Sequence, residues 1–131
     1  MALPFVWVRL WIRGRREPAY RERRRERMGF VAESIPRKGV WFHTVSAGET
    51  LGAIPLIRAV KKMTPDVPVL VTTTTPSGSE EVKKHLGMEV AHCYCPYDFP
   101  KAVWRFMDSV EPIALVLMET ELWPNIIREC R

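Results

Sequence analysis

Two glutamates, Glu49 and Glu119, each stand close behind an apolar run that is typical of a buried β-strand. Glu49 closes the motif Ser46-Ala47-Gly48-Glu49, and Glu119 begins the motif Glu119-Thr120-Glu121. In a sheet of parallel strands, ligands bind in the crevice beyond the carboxyl ends of the strands. Two carboxylates in that crevice can accept a proton from a substrate and stabilise a developing positive charge. We therefore predict that Glu49 and Glu119 share one pocket.

Each of these acids also has a purely structural interpretation. Glu49 falls in the first turn of a predicted helix, where the helix dipole favours any carboxylate. Glu119 directly follows an apolar strand, where a carboxylate needs a partner such as an arginine or the amides of a helix. Glu121 is favoured as an acid near the start of the next helix. The residues alone leave the catalytic and the structural interpretations open.

Residues 38–131 must supply the elements that position these acids. They alternate apolar runs with helical patterns in the order βαβαβαβα. This alternation predicts an α/β Rossmann-like fold, in which a parallel sheet carries helices on both faces. Ser77 and Glu80 have the spacing of a capping box, which predicts a helix start at Ser77. The predicted strands are 40–45, 67–73, 89–94 and 113–118, and the predicted helices are 50–63, 77–86, 99–110 and one that opens at 123–124.

Small and hydroxyl-bearing residues follow the predicted strands at the same edge as the glutamates. They leave room for a polar ligand, and amides at helix N-termini can hold anions. The candidate substrate-binding residues are Ser46, Gly48, Thr74, Thr75, Ser77 and Glu121. Neither a GxGxxG fingerprint nor a P-loop lysine is present, which argues against a bound dinucleotide or triphosphate. His43 lies inside a predicted strand and is favoured as a packing histidine.

The three cysteines do not indicate a metal site. Cys93, Cys95 and Cys130 lack the two-pair spacing of zinc ligands. Buried thiols in a reducing cytosol are the favoured interpretation. We expect no metal, no cofactor and no disulfide.

The basic character of the chain lies in residues 1–30. The net charge is +5, and this segment holds nine arginines against three glutamates. Its apolar stretch, residues 2–12, is too short to span a bilayer. Tryptophan next to arginine favours a segment that lies on the cytoplasmic leaflet of a membrane. A solvated charged helix and a nucleic-acid-binding arm are the alternatives, and we predict no nucleic-acid partner because such an arm would not need the apolar stretch.

Four segments together resemble the N-terminal half of the bacterial 3-deoxy-D-manno-octulosonic acid (Kdo) transferases. They are residues 41–49, 71–79, 96–98 and 118–125, and the similarity runs from about Pro18 to the end of the chain. The resemblance implies a glycosyltransferase of the GT-B fold, with residues 38–131 as an incomplete N-terminal domain that binds the acceptor. The domain that binds the donor is expected beyond this chain.

The resemblance also implies an activity. Such enzymes move Kdo from CMP-Kdo to the lipid A precursor at the cytoplasmic face of the inner membrane, with inversion and without an essential metal. Glu49 takes the role of general base, and Glu119 that of a group that stabilises the transition state. This chain alone is expected to be inactive. A non-catalytic membrane-surface domain, or another inverting GT-B enzyme acting on a lipid-linked sugar, is the alternative.

Overall fold

A computed structural model of the chain describes residues 24–118 and 124–130. Residues 1–23 of the predicted membrane segment, and both Glu119 and Glu121, lie outside these ranges. The elements are α1 (Arg24–Arg27), β1 (Val40–His43), α2 (Ala47–Met63), β2 (Val69–Thr73), α3 (Pro76–His85), a 3-10 turn (Gly87–Glu89), β3 (Ala91–Tyr94), α4 (Pro100–Val110), β4 (Ala114–Leu117) and α5 (Pro124–Glu129).

The four strands form one parallel sheet in the order β3-β2-β1-β4. This sheet, with helices around it, confirms the predicted α/β Rossmann-like fold. The chain moves outward from β1 to β3 and then crosses back to add β4 on the other side of β1. The strand order therefore reverses between β1 and β4. Such a reversal opens a crevice at the carboxyl ends of the two strands, which is where ligands bind in sheets of this kind.

Alternate residues of β1 face two separate cores, because successive side chains of a strand point to opposite sides of the sheet. Trp41 belongs to one core and Phe42 to the other, and both side chains are fully buried. The helical residues of the first core are Val103, Phe106, Val110 and Ile126. Those of the second core are Ala53, Ile54, Ile57 and Val82, with Leu86 beside them at the C-cap of α3. Helices α4 and α5 thus cover one face of the sheet, and α2 and α3 cover the other.

Two helices begin earlier than the sequence predicts. Helix α2 begins at Ala47, and α3 begins at Pro76 with Thr75 as its N-cap. The Thr75 hydroxyl accepts a hydrogen bond of 3.1 Å from the amide of Gly78. The predicted capping box at Ser77 is therefore wrong. Proline is well suited to the first position of a helix, and the threonine before it supplies the cap.

Residues 24–30 pack on the domain, although the prediction groups them with the basic segment. Gly29 has a φ of +90°, and a β-carbon at this position would overlap the carbonyl oxygen of Ala102 on α4. Arg105, also on α4, donates a hydrogen bond of 3.1 Å to the Met28 carbonyl. Its guanidinium lies 4.6 Å from the centre of the Phe30 ring. The residues that follow α1 therefore pack directly against the backbone of α4.

We expect Gly29→Ala to lower the free energy of unfolding by about 3 kcal/mol, measured by urea denaturation. A left-handed φ costs about 1–2 kcal/mol for a residue with a side chain, and the overlap with α4 adds a similar amount. Gly87→Ala is the matched control, since Gly87 also has a positive φ (+46°) but open space around its β-carbon position. It should lose only about 1 kcal/mol. Equal losses in the two variants would show that α1 does not pack on α4 as described.

His43 is fully buried in β1, which confirms its prediction as a packing residue. Its Nδ1 lies 2.8 Å from the Thr72 hydroxyl, and that hydroxyl accepts a hydrogen bond of 2.8 Å from the indole N–H of Trp41. Burial lowers the pKa of His43 to about 4, and a hydrogen bond with the Thr72 backbone offsets this only in part. The folded protein therefore holds this imidazole in its neutral form at neutral pH.

Because the pKa of His43 is lowered in the folded state, we expect the free energy of unfolding to decrease as the pH is lowered. The unfolded chain protonates this histidine below about pH 6.5, whereas the folded chain does not until about pH 4. The contribution of the neutral His43 to the free energy of unfolding is therefore fully present above pH 6.5. It is lost as the pH falls toward 4, by about 3 kcal/mol in total. Urea denaturation at pH 7.5, 5.5 and 4.5 measures it.

Comparison of two core variants isolates this effect from other titrating groups. His43→Asn should flatten the change in stability between pH 6.5 and 4. Val71→Ala truncates another fully buried residue, on the neighbouring strand, and should lower stability while it keeps the wild-type pH dependence. If His43→Asn keeps the wild-type dependence as well, the histidine is not the titrating group.

Candidate active site

Glu49 lies in the first turn of α2, just beyond the carboxyl end of β1. The N-cap, Ser46, has extended backbone and its side chain makes no capping hydrogen bond. The Glu49 carboxylate instead accepts, through Oε2, a hydrogen bond of 2.6 Å from the backbone N–H of Val45. Within the described residues, its other oxygen, Oε1, has no hydrogen-bond partner. The carboxylate is thus anchored on one side and able to accept a proton on the other.

The residue that anchors Glu49 is itself held by the loop that follows β2. The Val45 carbonyl accepts hydrogen bonds from the amides of Thr74 (3.2 Å) and Thr75 (3.1 Å). It also accepts one of 3.2 Å from the Thr75 hydroxyl. Val45 is therefore held at its carbonyl by three donors and at its N–H by the carboxylate of Glu49.

The fold brings the predicted binding residues after β1 and β2 to one edge of the sheet. A β-carbon on Gly78 would lie 3.3 Å from the carbonyl carbon of Ser46, so the two loops are in contact. Gly48 and Ser77 are exposed, whereas Ser46, Thr74 and Thr75 are partly buried. The described hydrogen bonds of Thr75 go to the protein itself, as helix cap and as donor to Val45. Binding of a substrate by these residues stays a prediction.

The strand that leads to Glu119 is the neighbour of the strand that leads to Glu49. Leu117 of β4 lies opposite His43 of β1. The Met118 amide donates a hydrogen bond of 3.0 Å to the His43 carbonyl. The two strands thus flank the reversal in strand order, where the crevice opens. Since Glu119 itself lies outside the described residues, a pocket shared with Glu49 stays a prediction.

The loop after β3 holds the start of α5. The Asp98 carboxylate accepts hydrogen bonds from the amides of Asn125 (3.3 Å) and Ile126 (3.1 Å). The Asp98 carbonyl accepts another, of 2.8 Å, from the Asn125 side chain. These bonds satisfy amides that the first turn of a helix leaves without partners. Two of the four sequence segments that carry the resemblance, 96–98 and 118–125, are therefore in contact.

Sequence reasoning missed one residue at this edge, Arg27. It was grouped with the basic segment, yet its side chain is only 2% exposed. Its Nη2 donates a hydrogen bond of 2.7 Å to the Thr74 carbonyl. The guanidinium carbon lies 4.1 Å from the centre of the Tyr94 ring. The one sequence signal for it is Gly29, because a glycine shortly after a charged run indicates a helix end rather than a continuous surface helix.

Tyr97 lies beside this arginine. Its amide donates a hydrogen bond of 2.8 Å to the Arg27 carbonyl. Burial raises the pKa of the Tyr97 phenol, and the positive charges of Arg27 and Arg24 lower it in part. The phenol is therefore neutral at physiological pH.

Residues 24–118 and 124–130 show neither a cluster of metal ligands nor a membrane-spanning helix. They contain no group of three or more His, Cys, Asp or Glu side chains that could hold a metal ion. None of their helices has the length and apolar character needed to cross a membrane. Of the three cysteines, all of which lie in these described ranges, Cys93 and Cys95 are buried and Cys130 is exposed.

Comparison with known proteins identifies the family. Residues 22–131 match the family described as 3-deoxy-D-manno-octulosonic-acid transferase (kdotransferase). The 3-deoxy-D-manno-octulosonic acid transferase of Haemophilus influenzae is 42% identical over 116 residues, which cover 87% of this chain and 27% of that protein. The enzyme of the same name from Bordetella pertussis is 36% identical over 137 residues, covering 98% of this chain and 32% of the relative.

A plant relative gives the same result. The probable mitochondrial 3-deoxy-D-manno-octulosonic acid transferase of Arabidopsis thaliana is 45% identical over 92 residues, which cover 70% of this chain and 21% of that protein. The chain thus spans only between a fifth and a third of the length of these relatives. By the family match and by these identities, the chain belongs to the 3-deoxy-D-manno-octulosonic acid (Kdo) transferases.

Proposed function

We propose that the protein carrying this chain transfers Kdo from CMP-Kdo to the lipid A precursor, and that this chain supplies the side that receives the acceptor. The family match over residues 22–131 is the observation that carries the proposal. The position of Glu49 at the edge of the sheet where ligands bind supports it. In the GT-B arrangement, a second Rossmann-like domain supplies the contacts to CMP-Kdo across a cleft.

Glu49 acts as the general base in this proposal. The attacking hydroxyl of the acceptor sugar forms a bond to the anomeric carbon of Kdo and gives its proton to Glu49 Oε1. The bond from that carbon to the phosphate breaks, and CMP leaves with the electron pair, so the anomeric configuration inverts. The amide of Val45 and the N-terminus of α2 stabilise the ionised carboxylate before the reaction. General-base assistance of this kind is worth about 10²–10⁴ in rate.

Glu119 stabilises the positive charge that develops on the Kdo ring as CMP leaves. A carboxylate does this in glycoside hydrolysis, where the transition state resembles an oxocarbenium ion. Support comes from β1 and β4, the strands that lead to the two glutamates, which are parallel neighbours. In the same proposal, the acceptor sugar is bound by Ser46, Gly48, Thr74, Thr75, Ser77 and Glu121.

The proposal also includes a location. The lipid acceptor stays in the bilayer, so an enzyme that modifies it works at a membrane surface. Residues 1–30, with nine arginines and an apolar stretch, have the composition of a segment that binds the anionic cytoplasmic leaflet. We therefore place the protein at the cytoplasmic face of the inner membrane, acting without a metal or cofactor.

The hydrogen bond between Glu49 and Val45 also supports a second interpretation, in which Glu49 only anchors the start of α2. Glu49→Gln separates the two interpretations, because glutamine keeps an oxygen that can accept the Val45 hydrogen bond but cannot take up a proton at neutral pH. In the protein at its full encoded length, we expect Glu49→Gln to lower kcat for Kdo transfer by about 10²-fold or more. The free energy of unfolding should stay within about 0.5 kcal/mol of the wild-type value.

Transfer of radiolabelled Kdo from CMP-Kdo to the lipid A precursor measures kcat. Glu80→Gln, at an exposed position of α3, is the control for loss of one negative charge and should be fully active. Near-normal turnover by Glu49→Gln would end the proposed base role and leave Glu49 as a structural residue.

A further inference from the structure

We infer that Arg27 is a positioning residue for Glu49, which it orients through the main chain of Thr74–Thr75 and Val45. The inference rests on the proposed role of Glu49 as the base. It adds a residue from α1, outside the βα units of the sheet, to the set on which the activity depends.

The buried Arg27 side chain is held by a hydrogen bond and by contact with an aromatic ring. A guanidinium removed from water is costly unless its N–H groups and its flat faces have partners. Here Nη2 donates to the Thr74 carbonyl at 2.7 Å while the group lies over the Tyr94 ring at 4.1 Å. The flat, forked shape of arginine allows a directed hydrogen bond and ring stacking at the same time, which lysine cannot reproduce.

The backbone that carries Arg27 is fixed as well. The Arg27 carbonyl accepts a hydrogen bond of 2.8 Å from the Tyr97 amide. The neighbouring Glu26 accepts, through Oε2, one of 3.2 Å from the Tyr94 amide. Helix α1 is therefore bonded at Glu26 to the end of β3 and at Arg27 to the loop that follows β3. These bonds fix the backbone from which the guanidinium reaches the loop after β2.

The next link is a single peptide group, the one that joins Thr74 to Thr75. Its carbonyl oxygen accepts the hydrogen bond from Arg27, and its N–H donates to the Val45 carbonyl at 3.1 Å. A hydrogen bond from a cation polarises a peptide, and hydrogen bonds in such chains strengthen one another. The arginine therefore both orients this peptide and strengthens its bond to Val45.

The last link is Val45 itself. With its carbonyl held by the loop after β2, its N–H points to Oε2 of Glu49 at 2.6 Å. The direction of Oε1 then depends on the position of this one residue. Since a displacement of about 1 Å in a reacting group can cost roughly 100-fold in rate, loosening the loop should reduce turnover.

Arg105 provides a matched control for the alternative that Arg27 only attaches α1 to the domain. Like Arg27, Arg105 donates a hydrogen bond to a backbone carbonyl. The carbonyl is that of Met28, just after α1, at 3.1 Å. Arg105 also stacks on an aromatic ring, that of Phe30 at 4.6 Å. These described contacts of Arg105 are with Met28 and Phe30, and neither residue is bonded to Val45. A purely structural role predicts similar effects of the two arginines on activity, whereas the positioning role predicts an effect of Arg27 alone.

The first experiment measures Kdo transfer by Arg27→Met, Arg27→Lys and Arg105→Met in the protein at its full encoded length. We expect Arg27→Met to lower kcat by roughly 10- to 100-fold with the KM for the lipid acceptor changed less than about threefold. Arg27→Lys should recover part of the loss, and Arg105→Met should keep wild-type kcat. Wild-type kcat in Arg27→Met, or an equal loss in Arg105→Met, overturns the inference.

A double variant tests whether the effect passes through Glu49. If it does, Arg27→Met adds little to the loss already caused by Glu49→Gln, since the two residues then act as one unit. Additive losses overturn the inference and leave the base role of Glu49 intact. If Glu49→Gln alone is fully active, the proposed base role of Glu49 has failed. Amide exchange then still tests whether Arg27 holds Val45 and the loop after β2.

Hydrogen exchange of the Val45 and Thr75 amides gives that second measurement without an assay of activity. In Arg27→Met we expect both amides to exchange at least about tenfold faster than in wild type, whereas the Thr44 amide, bonded to the Thr72 carbonyl at 2.9 Å, keeps its protection. Arg105→Met should leave all three amides unchanged. Unchanged exchange at Val45 and Thr75 in Arg27→Met shows that the arginine does not hold this loop.

Discussion

The carboxyl end of the sheet depends on how the main chain is held at Val45. This residue lies two positions beyond the end of β1 and precedes the helix that carries Glu49. Its carbonyl receives three hydrogen bonds from the loop after β2, and its N–H donates to the Glu49 carboxylate. Backbone groups that are withdrawn from water need hydrogen-bond partners. These bonds therefore fix the course of the main chain between β1 and α2. The direction of the Glu49 carboxylate follows from that course.

The topology explains why this point matters for function. Because β4 is added on the other side of β1, the two strands that lead to Glu49 and to Glu119 are neighbours, and the order of the sheet reverses between them. The loops after β2 and β3 reach the same edge and are tied to it, one through Val45 and the other through the bonds from Asp98 to the start of α5. Segments that are far apart in the sequence therefore meet at one edge, as the predicted parallel sheet implies.

The order of elements could be predicted because each apolar run and each helical pattern is a local signal. Residues 113–118, for instance, contain an unbroken apolar run and form β4, which pairs with the central strand. Helix starts were less certain, since Ser77 and Thr75 both offer a capping hydroxyl and only the proline at 76 favours the earlier one. Gly29 indicates a helix end near Arg27, but the burial of Arg27 could not be predicted locally. In sequence it is one of nine arginines in a basic run, and its burial depends on contacts with residues 47 to 70 positions away.

By itself, the sequence determined the α/β class, the order of the strands along the chain, the place of each glutamate after a strand, and the family. These depend on periodicity and on short motifs, which neighbouring residues carry. The tertiary structure alone decided that β4 lies beside β1, that Thr75 caps α3 while it binds Val45, and that Arg27 leaves the basic run to lie over Tyr94. The physical reason is that burial and hydrogen-bond partners are properties of the packed chain, set only when distant segments displace water from one another.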